Sequence, residues 1–233
     1  MIDFHSHILP NMDDGSRSVA ESVAMLQEMA AQGVKQVVAT PHFYPRKESV
    51  VCFLERREAA WAALREETAK YADLPEVRLG AEVFYYTGIC DSPELGKLTI
   101  QGTQFVLVEM PDNDWTPRMY RELEKIALLQ GLTPIVAHID RYIRPFRTKG
   151  IPEELAQLPV LVQANGSFFT DKRTRSLAMK MLRKGQIHLL GSDAHNMEDR
   201  APNLGPAAEQ IRSKLGEAVL ATVFQNSMDV LKK

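Results

Sequence analysis

Short apolar, β-branched runs alternate along the chain with longer stretches whose apolar positions recur at helical spacing, and Gly, Pro and capping residues separate the two. Met1 to His5 reads as a first strand. Ser18-x-x-Glu21 forms a capping box for a helix with Val19, Val23, Leu26 and Ala30 on one stripe, ended by Gly33. Lys35 to Thr40 is a second strand, stopped by Pro41, which has no N–H for a ladder hydrogen bond. Residues 48–71 place Val50, Leu54, Trp61, Leu64 and Thr68 at helical spacing, with Glu55, Arg56, Arg57, Glu58, Arg65, Glu66 and Glu67 as a solvated face. Val77 to Val83 and Phe105 to Met110 are the next strands. Thr116 and Pro117 cap and open a helix ending at Gly131. Thr133 to His138, Val160 to Ala164 and Gln186 to Leu190 complete the strands, the last preceded by a helix from about Asp171 that Gly185 closes.

Seven strands, mostly followed by a helix, predict a parallel α/β architecture with right-handed crossovers. A closed barrel is the natural form, reduced relative to the eight-stranded version of about 250 residues. Periodicity is also compatible with a doubly wound open sheet. The 233 residues contain no Ser/Gly-rich linker and no repeat, which favours a single domain over 1–233. Lys and Arg number 28 against 30 Asp and Glu, so a broad basic face for nucleic acid is disfavoured. The apolar runs are too short for a membrane span and the start lacks a signal-peptide pattern, so a cytoplasmic location is expected. Cys52 and Cys90 lack CxxC spacing and are expected to be ordinary buried or half-buried thiols.

Five of the six histidines (His5, His7, His42, His138 and His195) fall at or just past strand C-terminal ends. In a parallel barrel those ends converge on one face, where active sites lie. Glu82, Glu109 and Asp193 share that placement, and Asp14 lies in the loop after the first strand. An extended His5-Ser6-His7 sends both imidazoles to one side and Ser6 to the other, and Asp193-Ala194-His195 is expected to do the same. Nine nitrogen or oxygen donors without sulfur point to Mn²⁺, Fe²⁺, Zn²⁺ or Mg²⁺. They are too many for one ion. With Glu82 bridging they suit three divalent ions, whose charge exceeds that of the four carboxylates and favours phosphate and hydroxide. His188, inside the QIHLL run, reads as a strand histidine with a structural hydrogen bond.

The motifs HSH at 5–7, MDDGS at 12–16, ATPHF at 39–43, GAEV at 80–83, VEMP at 108–111, AHIDRY at 137–142 and GSDAH at 191–195 occur in that order. Together they resemble the PHP (polymerase and histidinol phosphatase) superfamily, in particular the manganese-dependent protein-tyrosine phosphatases of bacterial capsule and exopolysaccharide loci. The resemblance spans residues 1 to about 200. It implies a distorted (β/α)7 TIM-like barrel with three ions, most often Mn²⁺. One would take His5, His7, Glu82 and Asp193, a second Glu82, Glu109 and His138, and a third Asp14, His42 and His195. The family's H-P-E-R stands here as His138-Ile139-Asp140-Arg141, and its Ser-Gly-Ser-like turn as Asn165-Gly166-Ser167. The partner it implies is a phosphotyrosine-containing protein, a bacterial tyrosine autokinase of polysaccharide synthesis.

Metal-activated water makes a protein nucleophile unnecessary. Arg141 and Arg200 are the candidates for gripping phosphoryl oxygens through paired guanidinium donors. Neither cysteine stands in the C-x5-R loop of thiolate phosphatases. Tyr44, Arg46 and Lys47 fit either a substrate entrance or a solvated loop. Competing readings are a small-molecule phosphatase of the histidinol-phosphate type, a noncatalytic phosphoprotein-binding regulator and, last, an amidohydrolase, which commonly places a bridging Lys where this chain has Glu109.

Overall fold

A computed structural model describes residues 1–143 and 150–232. The expected seven strands are present, and two of them are each interrupted once. The first is β1 (Ile2–Ser6). The second is β2 (Gln36–Ala39), which resumes beyond Pro41 as β3 (His42–Phe43). The third is β4 (Glu76–Leu79), which resumes as β5 (Glu82–Phe84). Then come β6 (Phe105–Glu109), β7 (Thr133–Val136), β8 (Leu161–Asn165) and β9 (Leu189–Gly191).

All pairings are parallel, in the orders β1-β2-β4 and β3-β5-β6-β7-β8-β9. The ring closes between the last strand and the first, where Asp193 N donates to His5 O and His7 N to Ala194 O, both at 2.8 Å. A closed barrel therefore holds, and the open sheet does not.

Helices α1 (Val19–Ala31), α2 (Val50–Thr68), α3 (Pro117–Gln130), α4 (Ile151–Leu155), α5 (Gly166–Thr170) and α6 (Arg175–Arg183) lie in crossovers. The β5-to-β6 connection carries only short 3-10 turns, and α7 (Leu204–Leu215) and α8 (Glu217–Lys232) follow β9. Ser18 caps α1 by accepting from Glu21 N, but the Glu21 carboxylate reaches Arg17 N rather than completing the box on Ser18. The helix expected from Asp171 starts at Arg175, because the Asp171 carboxylate captures Arg173 N at 2.8 Å and holds a turn instead. The charged face of α2 is not wholly solvated. Arg57 is buried and donates to Gly80 O at 3.0 Å, and Arg56 donates to Met12 O at 2.5 Å. Cys52 is exposed on α2, against expectation, while Cys90 is buried. His188 accepts from Val162 N at 3.0 Å, which is the structural role read for it.

Two apolar layers hold the molecule. One lies between sheet and helices, with Leu26 and Met29 of α1, Phe53 and Leu64 of α2 and Ile126 of α3 all fully buried. The other groups Phe4, Val38, Leu107, Ile135 and Leu189 with Val230 and Leu231 from the end of α8. Arg78 donates to Leu231 O at 3.0 Å and ties that end down. At about 25 cal/mol per Å² of apolar surface removed from water, these layers are the main stabilising contribution. They leave the opposite end of the strands for polar chemistry.

Candidate metal centre

Phe4 and His5 are neighbours, yet Phe4 joins the apolar layer and His5 faces the polar end. A regular strand would send them to opposite sides. The β1–β2 pairing also shifts register between Asp3 and Ser6, an irregularity that re-aims the side chains beyond it. Ser6 then donates to Val38 O, away from the centre, as the alternation predicted. Asp193-Ala194-His195 departs from expectation. Asp193 lies in the left-handed region at φ 53°, so the backbone turns instead of running extended, and His195 Nδ1 comes within 2.9 Å of Asp193 O. His138, at φ 30°, is the other left-handed donor residue. Such backbone costs of order 1–3 kcal/mol, so the surrounding packing fixes both turns at the site. Two glycines permit close approach here, because a Cβ at Gly15 would sit 2.4 Å from His7 Cβ and one at Gly191 2.6 Å from His5 Cβ.

All nine predicted donors meet at this end of the barrel. His5 Nε2 lies 3.1 Å from His7 Nε2, 3.3 Å from Glu82 Oε2 and 3.5 Å from Asp193 Oδ1. His7 Nε2 lies 3.4 Å from Glu82 Oε2 and 3.5 Å from Asp193 Oδ1. Bonds of about 2.0–2.1 Å to one ion in tetrahedral or higher coordination put neighbouring ligand atoms roughly 3.0–3.4 Å apart. Three of these five separations fall in that range, and the two to Asp193, at 3.5 Å, lie just beyond it. His5, His7 and Asp193 offer donor atoms within 4.8 Å of one another, as do His5, Glu82 and His138, and His7 also groups with Asp14, His42 and His195. The other Glu82 oxygen lies 2.8 Å from His138 Nε2, and Glu109 Oε1 is 3.7 Å from the same nitrogen. Asp14 Oδ1 stands 3.5 Å from His42 Nε2 and 3.6 Å from His195 Nε2. His42 spans two sets, since its Nδ1 also lies 2.9 Å from Glu82 Oε2 and 3.6 Å from Glu109 Oε2.

These donors fit divalent ions on the chemistry of the cluster itself. Glu82 Oε2, Glu109 Oε2, His42 Nδ1 and His195 Nε2 are buried and make no hydrogen bond among the described residues. Buried polar groups left without partners are costly, and cations at this point would satisfy them. Burial raises the Glu109 carboxyl, and the charge of Glu82 raises it further, which marks a local excess of negative charge. For Glu82, burial is outweighed by His5, His138 and His42, which hold it well below the usual carboxylate range. Burial, followed by the neighbouring His7, pushes His195 down to about 3, so its ring is neutral at pH 7 and able to ligate.

Apart from Asp140, which the sequence places beside Arg141, the supporting residues went unnoticed in the sequence. Asp13 Oδ2 lies 2.8 Å from His7 Nδ1 and accepts from His42 N at 2.8 Å, fixing two donors at once. Gln163 Oε1 accepts from His138 N at 2.6 Å and lies 3.3 Å from His5 Nδ1. Asp3, fully buried, accepts from His5 N and Ser192 N. Asp140 accepts from Asn165 N at 3.0 Å, joining the loop after β7 to the end of β8. The doubled acid in MDDGS and the lone polar residue inside VLVQA were the available signals. Outer residues that orient ligands are typically worth 10–100-fold in metal affinity. Asp13→Asn should accordingly weaken metal binding by about that factor with the fold intact, as read by metal titration and circular dichroism.

Arg141 and Arg200 approach the same carboxylate from either side. Arg141 Nη2 lies 2.5 Å from Asp193 Oδ2, and Arg200 Nη2 lies 3.0 Å from Asp193 Oδ1. Both guanidiniums are one-third exposed, so they stand at the mouth.

A seven-stranded parallel barrel with nitrogen and oxygen donors gathered at the strand C-terminal ends defines the class: a barrel protein with a candidate multinuclear metal centre. The chain belongs to the capsular polysaccharide synthesis CpsB/CapC family, whose family model matches residues 1–232. It is 30% identical to the tyrosine-protein phosphatase CpsB of Streptococcus pneumoniae over 96% of this chain and 95% of that protein. It is 29% identical to the tyrosine-protein phosphatase YwqE of Bacillus subtilis (strain 168), covering 100% of this chain and 92% of the relative. Among solved structures, a chain from the work on YwqE of B. subtilis and CpsB of S. pneumoniae, described there as metal-dependent tyrosine phosphatases, superposes with a TM-score of 0.87. That pair is 23% identical and covers 100% of this chain and 94% of the other, a likeness in fold.

Proposed function

We propose that this chain hydrolyses phosphotyrosine in a protein substrate with the help of three divalent ions, Mn²⁺ foremost. The donors would be His5, His7, Asp14, His42, Glu82, Glu109, His138, Asp193 and His195. The observation that carries the reading is the set of separations from 3.1 to 3.5 Å that join His5 and His7 to each other and each of them to Glu82 and Asp193. Bound divalent ions would supply Lewis acidity and lower the pKa of water from about 15.7 towards ~7.

The chain's own residues do the rest. Arg141 and Arg200, already directed at Asp193, would bind the non-bridging phosphoryl oxygens through paired N–H donors. Asp13 and Gln163 hold His7, His42, His138 and His5 in place. A phenolate leaving group, with a pKa near ~10, needs little proton donation, so no general acid is required. The cysteines play no part, Cys90 being buried in the apolar layer between sheet and helices and Cys52 lying outward on α2.

The family and the named activity of its relatives support a tyrosine autokinase of capsule or exopolysaccharide assembly as the substrate. A cytoplasmic location is part of this proposal. Two unpaired thiols are consistent with it, and no described helix is long and apolar enough to cross a membrane.

Turnover of p-nitrophenyl phosphate and of a phosphotyrosyl peptide, with metal content measured in parallel, tests the proposal. Wild type should cleave both. Arg141→Ala should keep its metal and lose about 10–100-fold in kcat/KM, the equivalent of one charge-assisted contact of roughly 1.5–3 kcal/mol. A metal-loaded wild type inactive on both compounds would refute the phosphatase reading.

A further inference from the structure

Beside the metal centre lies a second recess that coordination does not require. The first, about 610 Å³, is bounded by Asp13, Asp14 and His42 and also by Tyr44 and Lys47. The second, about 750 Å³, lies against Tyr44, Arg46, Lys47, Phe84, Tyr86 and Met119. Tyr44 and Lys47 are common to both, so the two recesses adjoin along these side chains. The volume lies within the range of small-ligand pockets, roughly 300–1,000 Å³.

The two recesses differ in chemistry. The Tyr44 ring lies 5.1 Å from the His42 ring on one side and 5.6 Å from Phe84 on the other, with Lys47 Nζ 4.2 Å from its centroid. Aromatic surface therefore continues outward from the donor histidines. Arg46 and Lys47 are exposed on the rim, and among the described residues that line the second recess there is no carboxylate. The occupant must offer apolar or aromatic surface together with negative charge. It must also be continuous with a phosphorylated group held in the first recess.

We propose that the second recess binds the stretch of polypeptide flanking the phosphotyrosine, and selects an apolar or aromatic residue accompanied by Asp or Glu. The proposal rests on the phosphatase reading above and deepens it, naming the substrate as a phosphotyrosyl protein segment with an acidic flank. Arg46 reads the acid, and Tyr44, Phe84 and Tyr86 take the apolar side chain. Phosphate monoesters without a flank leave the recess unused. Exposed charge and cation–π contacts of this kind are individually modest, so the selectivity is about 3- to 10-fold in kcat/KM.

The test measures kcat and KM of the manganese-loaded protein on three compounds. Two are phosphotyrosyl peptides identical except for Asp-Asp or Lys-Lys beside an aromatic neighbour, and the third is p-nitrophenyl phosphate. Wild type should favour the acidic peptide by about 3- to 10-fold, mostly through KM. Arg46→Glu should erase or reverse that preference, and Tyr86→Ala should raise KM for the acidic peptide. Both variants should retain p-nitrophenyl phosphate turnover within about twofold, since neither residue approaches a donor atom. Indifference of wild type to the flank would overturn the proposal, as would an equal loss on all three compounds in both variants. Absence of any turnover by wild type would refute the phosphatase reading itself, and the flank subsite with it, and is distinct from flank indifference in an active enzyme.

Discussion

Glu82→Gln should fold to the same barrel and lose more than about a hundredfold in turnover of p-nitrophenyl phosphate at saturating metal. Its two carboxylate oxygens face His5, His7 and His42 on one side and His138 on the other, all within 3.4 Å. Glutamine keeps the shape, removes the charge, and presents an N–H₂ to one of those sides. Residues outside the coordination layer already cost 10–100-fold when replaced, and the shared carboxylate should exceed that bound. Metal content per chain should fall along with activity. A variant retaining its full complement of ions and more than a tenth of wild-type turnover would exclude Glu82 as the bridge.

Chelation should abolish turnover and lower Tm, and added Mn²⁺ should restore both. An ion that binds the folded chain alone, present at a hundred times its Kd, stabilises it by about 2.7 kcal/mol. For a chain of this size each kcal/mol moves Tm by about 2–4 °C, so the expected shift is roughly 5–10 °C per site. The physical source is the set of buried donor atoms that make no hydrogen bond among the described residues and that bound ions would satisfy. Thermal melts at several Mn²⁺ concentrations, with turnover measured in the same samples, check both effects. Unchanged Tm and activity after complete removal would contradict a metal centre built from these residues.

Much of the barrel was legible because each strand is a short apolar run bounded by punctuation. Pro41 marked where β2 breaks, and Gly33, Gly131 and Gly185 closed helices in left-handed conformations at φ 84°, 65° and 69°. The donors were legible because His, Asp and Glu at strand ends have few structural reasons to cluster. What stayed hidden depends on contacts that no local pattern encodes. Arg57 looked like part of a solvated face until Gly80 O gave it a partner across the sheet. The turn at Asp193 arises where β9 meets β1, and no window of sequence contains both. Asp13 and Gln163 matter through what they touch, and Asp13 sits beside a more obvious acid. Helices α7 and α8 follow the last motif, where no strand rhythm remained to frame them.

Asp3 and Ser192, joined by a hydrogen bond at the closing seam, are 189 residues apart in the chain. His5 and His7 thus stand far from Asp193 and His195 along the chain and meet them only across this seam. Bringing such distant segments together is entropically demanding. A chain cut before β9 would keep His5 and His7 and lack Asp193 and His195. An ion shared by the two segments would therefore depend on the seam being closed.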